Sequence, residues 1–254
     1  EYTPLEGIRA AAAGKAEVIY ERGYVGDVTG DYNVTGQDLS EGRSGAQLLA
    51  DAIAAARKVD AVVFIGGLNK GDHQDSEGAD RLQLGLPYGQ DAVIGALAEA
   101  NPNLAVVFVS GNAVAMPWID RVPAVLEAWY SGSEAGNALA DVLFGAVNPS
   151  GKLPFTFPVR LEDCSAHSAG EYPGEGQVVY RDGIFVGYRW IEKERIEPLF
   201  AFGHGLSYTT FDIANVRADR TSLATTGRLR VSADVTNTGG RAGAEVVQLY
   251  IGDK

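Results

Sequence analysis

Four acidic residues crowd into one short stretch of the sequence, GDHQDSEGADR at 71–81. They are Asp72, Asp75, Glu77 and Asp80. Carboxyl groups packed this closely repel one another as anions, which favours the protonated form of one of them and therefore general acid chemistry. Carboxylates in loops are more often simply solvated, so the crowding alone leaves both interpretations open.

The position of this stretch strengthens the functional interpretation. It follows AVVFIGG, an apolar and β-branched run that predicts a buried strand. Open α/β sheets bind their ligands at the carboxyl ends of strands. The acidic loop is therefore predicted to lie at such an end.

The residue spacing disfavours a metal-binding site in two acidic stretches of the sequence. The spacing around His73 matches neither the zinc patterns nor a paired HExxH helix. In DVTGDYNVTGQD, Asp27, Asp31 and Asp38 fall at positions 1, 5 and 12 of a calcium loop, but Tyr32 stands where a glycine normally makes the turn. An ordinary loop with an Asp N-cap is favoured there, and we predict no metal and no cofactor.

The composition excludes several classes of partner. The formal charge is −12 and no run of Lys or Arg is present, which argues against nucleic acid. No apolar run approaches the roughly 20 residues that span a bilayer. The single cysteine, Cys164, forms no internal disulfide, and no Gly-rich phosphate-binding motif supports a nucleotide site.

Helical and extended patterns alternate along the first part of the chain. The helical patterns are TPLEGIRAAA, AQLLADAIAAARKV, YGQDAVIGALAEA and EAGNALADVLFG, and the extended ones are AEVIYERG, AVVFIGG, LAVVFVSG and AVLEAWYSG. This order predicts an α/β fold, a mostly parallel sheet with helices on both faces. Glycines at FIGG, FVSG and WYSG permit sharp exits, so the following loops are predicted to gather along one rim.

The periodicity divides the chain into three parts. The α/β sandwich domain is predicted over 1–158, and a connector rich in Pro and Gly over 159–207. From 208 to 254 the runs FDIANVRA, LRVSADVTNTGG and AEVVQLYIGDK have a period of two and predict strands. They are too few for a complete β-sandwich, which has about seven strands and about 100 residues, so this domain is expected to be incomplete.

Five ordered stretches together resemble one known family, glycoside hydrolase family 3. They are TPLEGI at 3–8, DSEGADRLQLGLPYGQ at 75–90, VNPSGKLPFTFP at 147–158, YRDGIFVGYRW at 180–190 and PLFAFGHGLSYTTF at 198–211. The resemblance is to the C-terminal α/β sandwich domain of that family and to the start of its fibronectin type III-like domain. The first βα unit, expected before residue 3, is missing.

The resemblance implies a retaining exo-β-glycosidase that releases terminal β-linked glucose or xylose from oligosaccharides or glycosides. Its nucleophile, an aspartate, is expected on an N-terminal barrel domain of the same enzyme that this chain lacks, so the fragment alone is expected to be inactive. The general acid/base matches Glu77 of SEGADR. A secreted or periplasmic location is also implied by the resemblance.

The residue chemistry is compatible with this role for Glu77. A retaining mechanism needs a second carboxyl roughly 5–5.5 Å from the nucleophile, first as an acid and then as a base. Asp75 and Asp80 flank Glu77 and supply negative charge that favours its protonated form. Substrate contacts are predicted for Asp75 and Arg81, although a guanidinium serves equally well to fix a loop.

Aromatic residues offer further candidates for sugar binding. Tyr188 and Trp190 lie in an irregular stretch and are predicted on the side of the leaving group, whereas Trp129 lies in an apolar run and is predicted to be core. Two rivals remain from other classes. One is a non-catalytic flavodoxin-like module that binds carbohydrate or stabilises a partner, and the other is a nucleotide-binding domain of similar architecture.

Overall fold

The computed structural model describes most of the chain, namely residues 2–26, 41–71, 73–78, 80–170, 172, 174, 176–224 and 226–252. The segment considered as a calcium loop and the acidic residue Asp72 lie outside the described residues. Asp75, Glu77, Asp80 and Arg81 lie within them.

Six α-helices and five strands occur in the described ranges. The helices are α1 (Pro4–Ala12), α2 (Gly45–Ala56), α3 (Gln90–Ala100), α4 (Ala135–Leu143), α5 (Ser165–Ser168) and α6 (Tyr188–Glu194). The strands are β1 (Val62–Gly67), β2 (Leu104–Val109), β3 (Ala124–Glu127), β4 (Phe211–Ala218) and β5 (Val231–Asn237). No helix within these ranges is both long and apolar enough to cross a membrane.

The chain divides into two compact units. The parallel unit consists of the residues up to Ala140 together with Phe155–Ala201. The antiparallel unit consists of Asp141–Pro154 together with the residues from Phe202 onward. This division groups most of the predicted connector with the parallel unit, whereas the domain boundaries drawn from the sequence remain a prediction.

A three-stranded parallel sheet forms the centre of the parallel unit. The strand order is β1-β2-β3, with Val62 opposite Leu104 and Ala105 opposite Ala124. The middle strand β2 is the most apolar, and its Phe108 is fully buried against Trp118 with ring centroids 5.6 Å apart. Continuous apolar strands between helices are typical of parallel sheets, and the predicted fold class is confirmed.

Local sequence signals explain where the helices begin. At α1, the Thr3 hydroxyl accepts a hydrogen bond from the Glu6 backbone N–H at 3.3 Å. The Thr3 N–H in turn donates to the Glu6 carboxylate at 2.7 Å. This reciprocal capping box satisfies two backbone donors that the first turn leaves unpaired. At α2, the hydroxyl of Ser44 caps the Gln47 N–H in the same manner.

The antiparallel unit contains a two-stranded sheet. Strand β4 pairs with β5, with Phe211 opposite Asn237 and Ala218 opposite Val231. The register is irregular between Ala214 and Arg217. This small sheet agrees with the predicted partial β-sandwich, and the fibronectin type III-like assignment remains a prediction.

Three predicted strands differ from the structure. Residues 16–23 and 244–252 have no strand pairing among the described residues, and Ile19 and Leu249 are largely exposed. In AVLEAWYSG the strand ends at Glu127, and Trp129 follows with a φ of 54°. A period-two pattern predicts which side chains share a face, but a strand also needs a neighbouring backbone to pair with. The sequence pattern does not specify that neighbour.

Candidate active site

A cavity of about 730 Å³ opens within the parallel unit at the loops that follow the strands. Its lining includes the acidic loop after β1, the turn at Gly111–Ala113 after β2, and Tyr130 after β3. Residues between Phe155 and His167 line its remaining side. The sequence-based expectation that loops gather along one rim of the sheet therefore agrees with the structure.

The acidic loop starts from a rigidly held point at Gly67. The Gly67 N–H donates to the Gln90 side-chain oxygen at 2.8 Å, and the Gln90 amide nitrogen donates to the Gly67 carbonyl at 2.8 Å. Gln90 is buried at the start of α3. Gly67 has a φ of +131°, and a Cβ there would collide with the carbonyl of Val109. One side chain therefore closes the base of the longer segment, 68–89, that contains the acidic loop.

Asp75 joins the acidic loop to the ends of both neighbouring strands. Its Oδ2 accepts hydrogen bonds from the Gly111 N–H at 2.6 Å and from the Tyr130 hydroxyl at 2.8 Å. Its Oδ1 accepts from the Asn112 side-chain amide at 3.3 Å. The backbone N–H of Asp75 donates to the Asn69 carbonyl at 2.9 Å. Both carboxylate oxygens are thus engaged by protein donors, and the predicted substrate contact of Asp75 remains a prediction.

Arg81 also holds the loop. Its guanidinium donates to the Ala113 carbonyl at 2.6 Å and to the Leu84 carbonyl at 2.8 Å. Burial lowers the pKa of Arg81, and the nearby charge of Asp75 opposes that effect. Two of the five guanidinium N–H donors are directed to backbone carbonyls, and this geometry favours the loop-fixing role. A substrate contact of Arg81 remains a prediction.

Asp80 is engaged at the far end of the same loop. The Tyr172 hydroxyl donates to its carboxylate, and the His73 ring N–H donates from Nδ1 to its carbonyl oxygen at 2.9 Å. The hydrogen bond to Asp80 is the main cause of the raised pKa of Tyr172. Asp75 and Asp80, which flank Glu77, are therefore both held by contacts with other parts of the chain.

Glu77 differs from its acidic neighbours. Its side chain is exposed and lines the cavity. Among the residues that the structure describes, none makes a hydrogen bond or an ion pair with its carboxyl group. A carboxyl group that lines a cavity from a fixed loop and has no partner among the described residues can interact with a bound molecule.

Sequence reasoning missed Glu127, an acidic residue at the end of β3 that lies against Ser110. Burial raises its pKa to about 7, and the charge of Asp75 adds to this, while hydrogen bonds from the Trp129 N–H at 3.0 Å and from Ser110 oppose it. The Ser110 hydroxyl lies 3.1 Å from the Glu127 carboxyl and 2.9 Å from the Asn112 carbonyl. When Ser110 donates to Asn112, protonated Glu127 can donate to Ser110. The single acidic residue within the apolar run AVLEAWYSG was the sequence feature that could have indicated it.

The two aromatic candidates lie on α6. The Trp190 indole N–H donates to the Asp163 carbonyl at 3.1 Å, and the Lys193 ammonium lies 5.3 Å from the Trp190 ring centroid. The Arg189 guanidinium lies 5.7 Å from the ring centroid of Tyr188. Tyr188 and Trp190 are not among the described residues that line the cavity. Their predicted contact with the leaving group remains a prediction.

No cluster suited to a metal occurs in the described part of the chain, where no three His, Cys, Asp or Glu side chains converge. Cys164 and His167 both line the cavity, and burial raises the pKa of the Cys164 thiol. The ring of His167 packs edge-on against Tyr172, with centroids 5.6 Å apart.

Comparison with known proteins decides the family. Residues 1–208 match the Glycosyl hydrolase family 3 C-terminal domain. The chain belongs to glycoside hydrolase family 3. The resemblance found in the sequence is confirmed.

Curated relatives in family 3 are similar over nearly the whole chain. A β-glucosidase of Bacteroides ovatus, BoGH3A, is 46% identical over 98% of this chain, which covers 33% of the relative. Thermostable β-glucosidase B of Acetivibrio thermocellus is 42% identical over 98% of this chain, which covers 31% of the relative. The chain thus spans about a third of the length of the curated relatives it matches.

Solved structures of family 3 members share the fold. DesR, a β-glucosidase from Streptomyces venezuelae solved in complex with D-glucose, aligns with a TM-score of 0.72 and 42% identity. The alignment covers 79% of this chain and 25% of DesR. A β-glucosidase from Kluyveromyces marxianus aligns with a TM-score of 0.72 and 38% identity, over 80% of this chain and 24% of that one.

Proposed function

We propose that this chain is the C-terminal part of a retaining exo-β-glycosidase that releases terminal β-linked glucose, and that Glu77 is its general acid/base. The observation that carries the proposal is the contrast within the acidic loop. Asp75 and Asp80 accept hydrogen bonds from protein donors, whereas Glu77 faces the cavity without a partner among the described residues. Relatives named as β-glucosidases support glucose over xylose.

The chemistry requires a second carboxyl from elsewhere in the enzyme. In the first step, protonated Glu77 gives its proton to the glycosidic oxygen while the bond from that oxygen to the anomeric carbon breaks and an aspartate nucleophile forms a glycosyl ester. In the second step, the Glu77 carboxylate takes a proton from water, which attacks the anomeric carbon and releases the sugar. The family resemblance assigns the nucleophile to an N-terminal barrel domain, with which this chain would have to associate.

The test uses the intact enzyme that contains this segment, with Glu77→Ala and a matched control, Glu197→Ala. Glu197 is exposed and has no hydrogen bond or ion pair among the described residues. The substrates are cellobiose, whose leaving group needs a proton, and 2,4-dinitrophenyl β-glucoside, whose leaving group does not. Each is assayed with and without azide, an anion that attacks without base assistance.

We expect Glu77→Ala to lower kcat/KM for cellobiose by about 100-fold or more, the scale of general acid catalysis. The first step on the aryl glucoside should lose much less, and azide should restore its turnover with formation of β-glucosyl azide. Glu197→Ala should behave as wild type. Normal cleavage of both substrates by Glu77→Ala would contradict the assignment and favour a supporting role for this domain.

The location of the enzyme is a separate proposal. A secreted or periplasmic location is supported only by the family resemblance. Fractionation of cells that express the intact enzyme, with activity measured in each fraction, tests it.

A further inference from the structure

We infer that Asp75 is a positioning residue that sets where the Glu77 carboxyl lies in the cavity. The inference rests on the proposed function of Glu77. Asp75 precedes Glu77 by two residues, and an extended chain spans at most about 3.6 Å per residue. The Glu77 Cα therefore lies within roughly 7 Å of the Asp75 Cα, so the contacts that hold Asp75 also restrict Glu77.

The contacts of Asp75 come from structure outside its own loop. Its carboxylate accepts from the Gly111 N–H and the Asn112 side chain, both in the turn after β2, and from the Tyr130 hydroxyl after β3. The donors Gly111 and Tyr130 stand 36 and 55 residues from it in sequence. Hydrogen bonds to a carboxylate are roughly twice as strong as neutral ones. Three of them fix the acidic loop to the ends of two parallel strands.

The glycine in the turn after β2 leaves room for the Tyr130 ring, whose hydroxyl donates to Asp75. A Cβ at position 111 would lie 3.2 Å from the Tyr130 ring and 3.4 Å from the Asp75 Oδ2. A side chain at position 111 would therefore crowd the Tyr130 ring, whereas its distance to Asp75 would be an ordinary van der Waals contact. Gly111 itself donates its backbone N–H to Asp75 at 2.6 Å.

The charges around Asp75 also favour a structural anchor. The Arg81 guanidinium is close enough for the charge of Asp75 to affect it, although its donors go to backbone carbonyls. The Asn112 side chain donates to Asp75, and the Asn112 carbonyl accepts a hydrogen bond from the Ser110 hydroxyl. The same hydroxyl lies within hydrogen-bond distance of Glu127. Asp75 thus belongs to a connected polar network under the loop, whereas Glu77 extends from the loop into the cavity.

The first test is Asp75→Asn in the intact enzyme, with Asp120→Asn as the matched control. The Asn side chain keeps the shape, but its amide nitrogen would face the donors. Because a misplacement of about 1 Å can lower the rate about 100-fold, we expect a 10- to 100-fold fall in kcat/KM for cellobiose. The first step on 2,4-dinitrophenyl β-glucoside should change less than about threefold, since it needs no proton. Asp120 is exposed and does not line the cavity, so its variant should match wild type.

The second test places Asp75→Asn in the Glu77→Ala background. If Asp75 acts by positioning Glu77, its substitution should have no further effect on the aryl glucoside once Glu77 has been removed. A purely structural defect would lower the rate in both backgrounds. A direct substrate contact would raise KM and weaken inhibition by glucose in both backgrounds. Either of these two results overturns the inference.

A milder variant keeps the inference testable if Asp75→Asn does not fold. Tyr130→Phe removes one donor and leaves the other two contacts of Asp75 in place. We expect a smaller loss, about three- to tenfold, again confined to cellobiose. Equal losses on both substrates would contradict the positioning role. Normal cellobiose cleavage by Glu77→Ala would instead refute the proposed function itself, so the two failures are distinguishable.

Discussion

The two sheets of the molecule differ in how they are stabilised. In the parallel sheet, the middle strand β2 buries Val106, Val107 and Phe108 completely. In the antiparallel sheet, Ile213 of β4 is 44% exposed and Val235 of β5 is 45% exposed. The parallel unit therefore relies on apolar burial, which leaves its polar loops free to form a site. A two-stranded sheet alone is only marginally stable, so the antiparallel unit depends more on polar contacts.

Polar contacts hold the antiparallel unit together around two side chains. The Asn148 side-chain oxygen accepts from the Ser207 hydroxyl at 2.9 Å and from the Tyr208 N–H at 2.8 Å, and its amide nitrogen donates to the Ala242 carbonyl at 2.9 Å. The Lys152 ammonium pairs with Glu245 at 2.8 Å, and this contact lowers the pKa of Glu245. These contacts connect segments that are distant in sequence.

The largest expected effect comes from truncating the parallel core. Phe108→Ala removes a fully buried ring that packs on Trp118, and such changes typically lower the free energy of unfolding by about 3–5 kcal/mol. All three tryptophans, Trp118, Trp129 and Trp190, lie in the parallel unit, so their fluorescence in a urea titration reports on that unit alone. A loss below about 1 kcal/mol would mean that burial in β2 is not the main source of its stability.

A pH-dependent effect comes next, from Glu127. Because its pKa is raised in the folded protein, the folded state holds a proton that the unfolded state releases from about pH 4.5 to about pH 7. Glu127 therefore lowers the free energy of unfolding as pH rises through that window. Above about pH 7 its destabilising contribution is constant. Glu127→Gln retains a neutral side chain, so its stability relative to wild type should rise across the window by up to about 3 kcal/mol.

Tryptophan-monitored urea titrations of wild type and Glu127→Gln at pH 4, 6 and 8 measure that difference. Subtracting the two proteins cancels groups that titrate in both. A difference independent of pH would show that Glu127 titrates normally in the folded state. Glu197→Gln, an exposed glutamate, serves as the control and should show a constant difference near zero.

The smallest effect is expected in the antiparallel unit. Asn148→Ala removes three hydrogen bonds from a partly buried position, which should cost that unit about 1–3 kcal/mol. Hydrogen exchange of the β4 and β5 amides should become faster, while the tryptophan-monitored transition should not move. A shift of the tryptophan transition by the same amount would show that the two units unfold together, and the contrast between them would then not hold.

The sequence predicted the parts of the fold that burial dictates. AVVFIGG and LAVVFVSG became β1 and β2 because continuous apolar runs have few alternatives to a buried strand. AEVIYERG pairs with no strand in the described part of the chain, and its Ile19 and Tyr20 are exposed, because an extended pattern does not itself supply a neighbouring backbone. At the site, the acidic loop and its place after β1 were predictable. The partners of Asp75 were not, since Gly111 and Tyr130 are distant in sequence and are brought close only by the parallel register.

The double hydrogen bond between Gln90 and Gly67 has a consequence for how this domain can change over evolutionary time. It closes the base of the loop, so the segment between these residues is anchored independently of its own length. Lengthening such a loop costs little entropy, about 0.6 kcal/mol for each doubling. The length and the side chains of this segment can therefore change without altering the sheet. The side chains that line the cavity can diversify here while the sheet is retained.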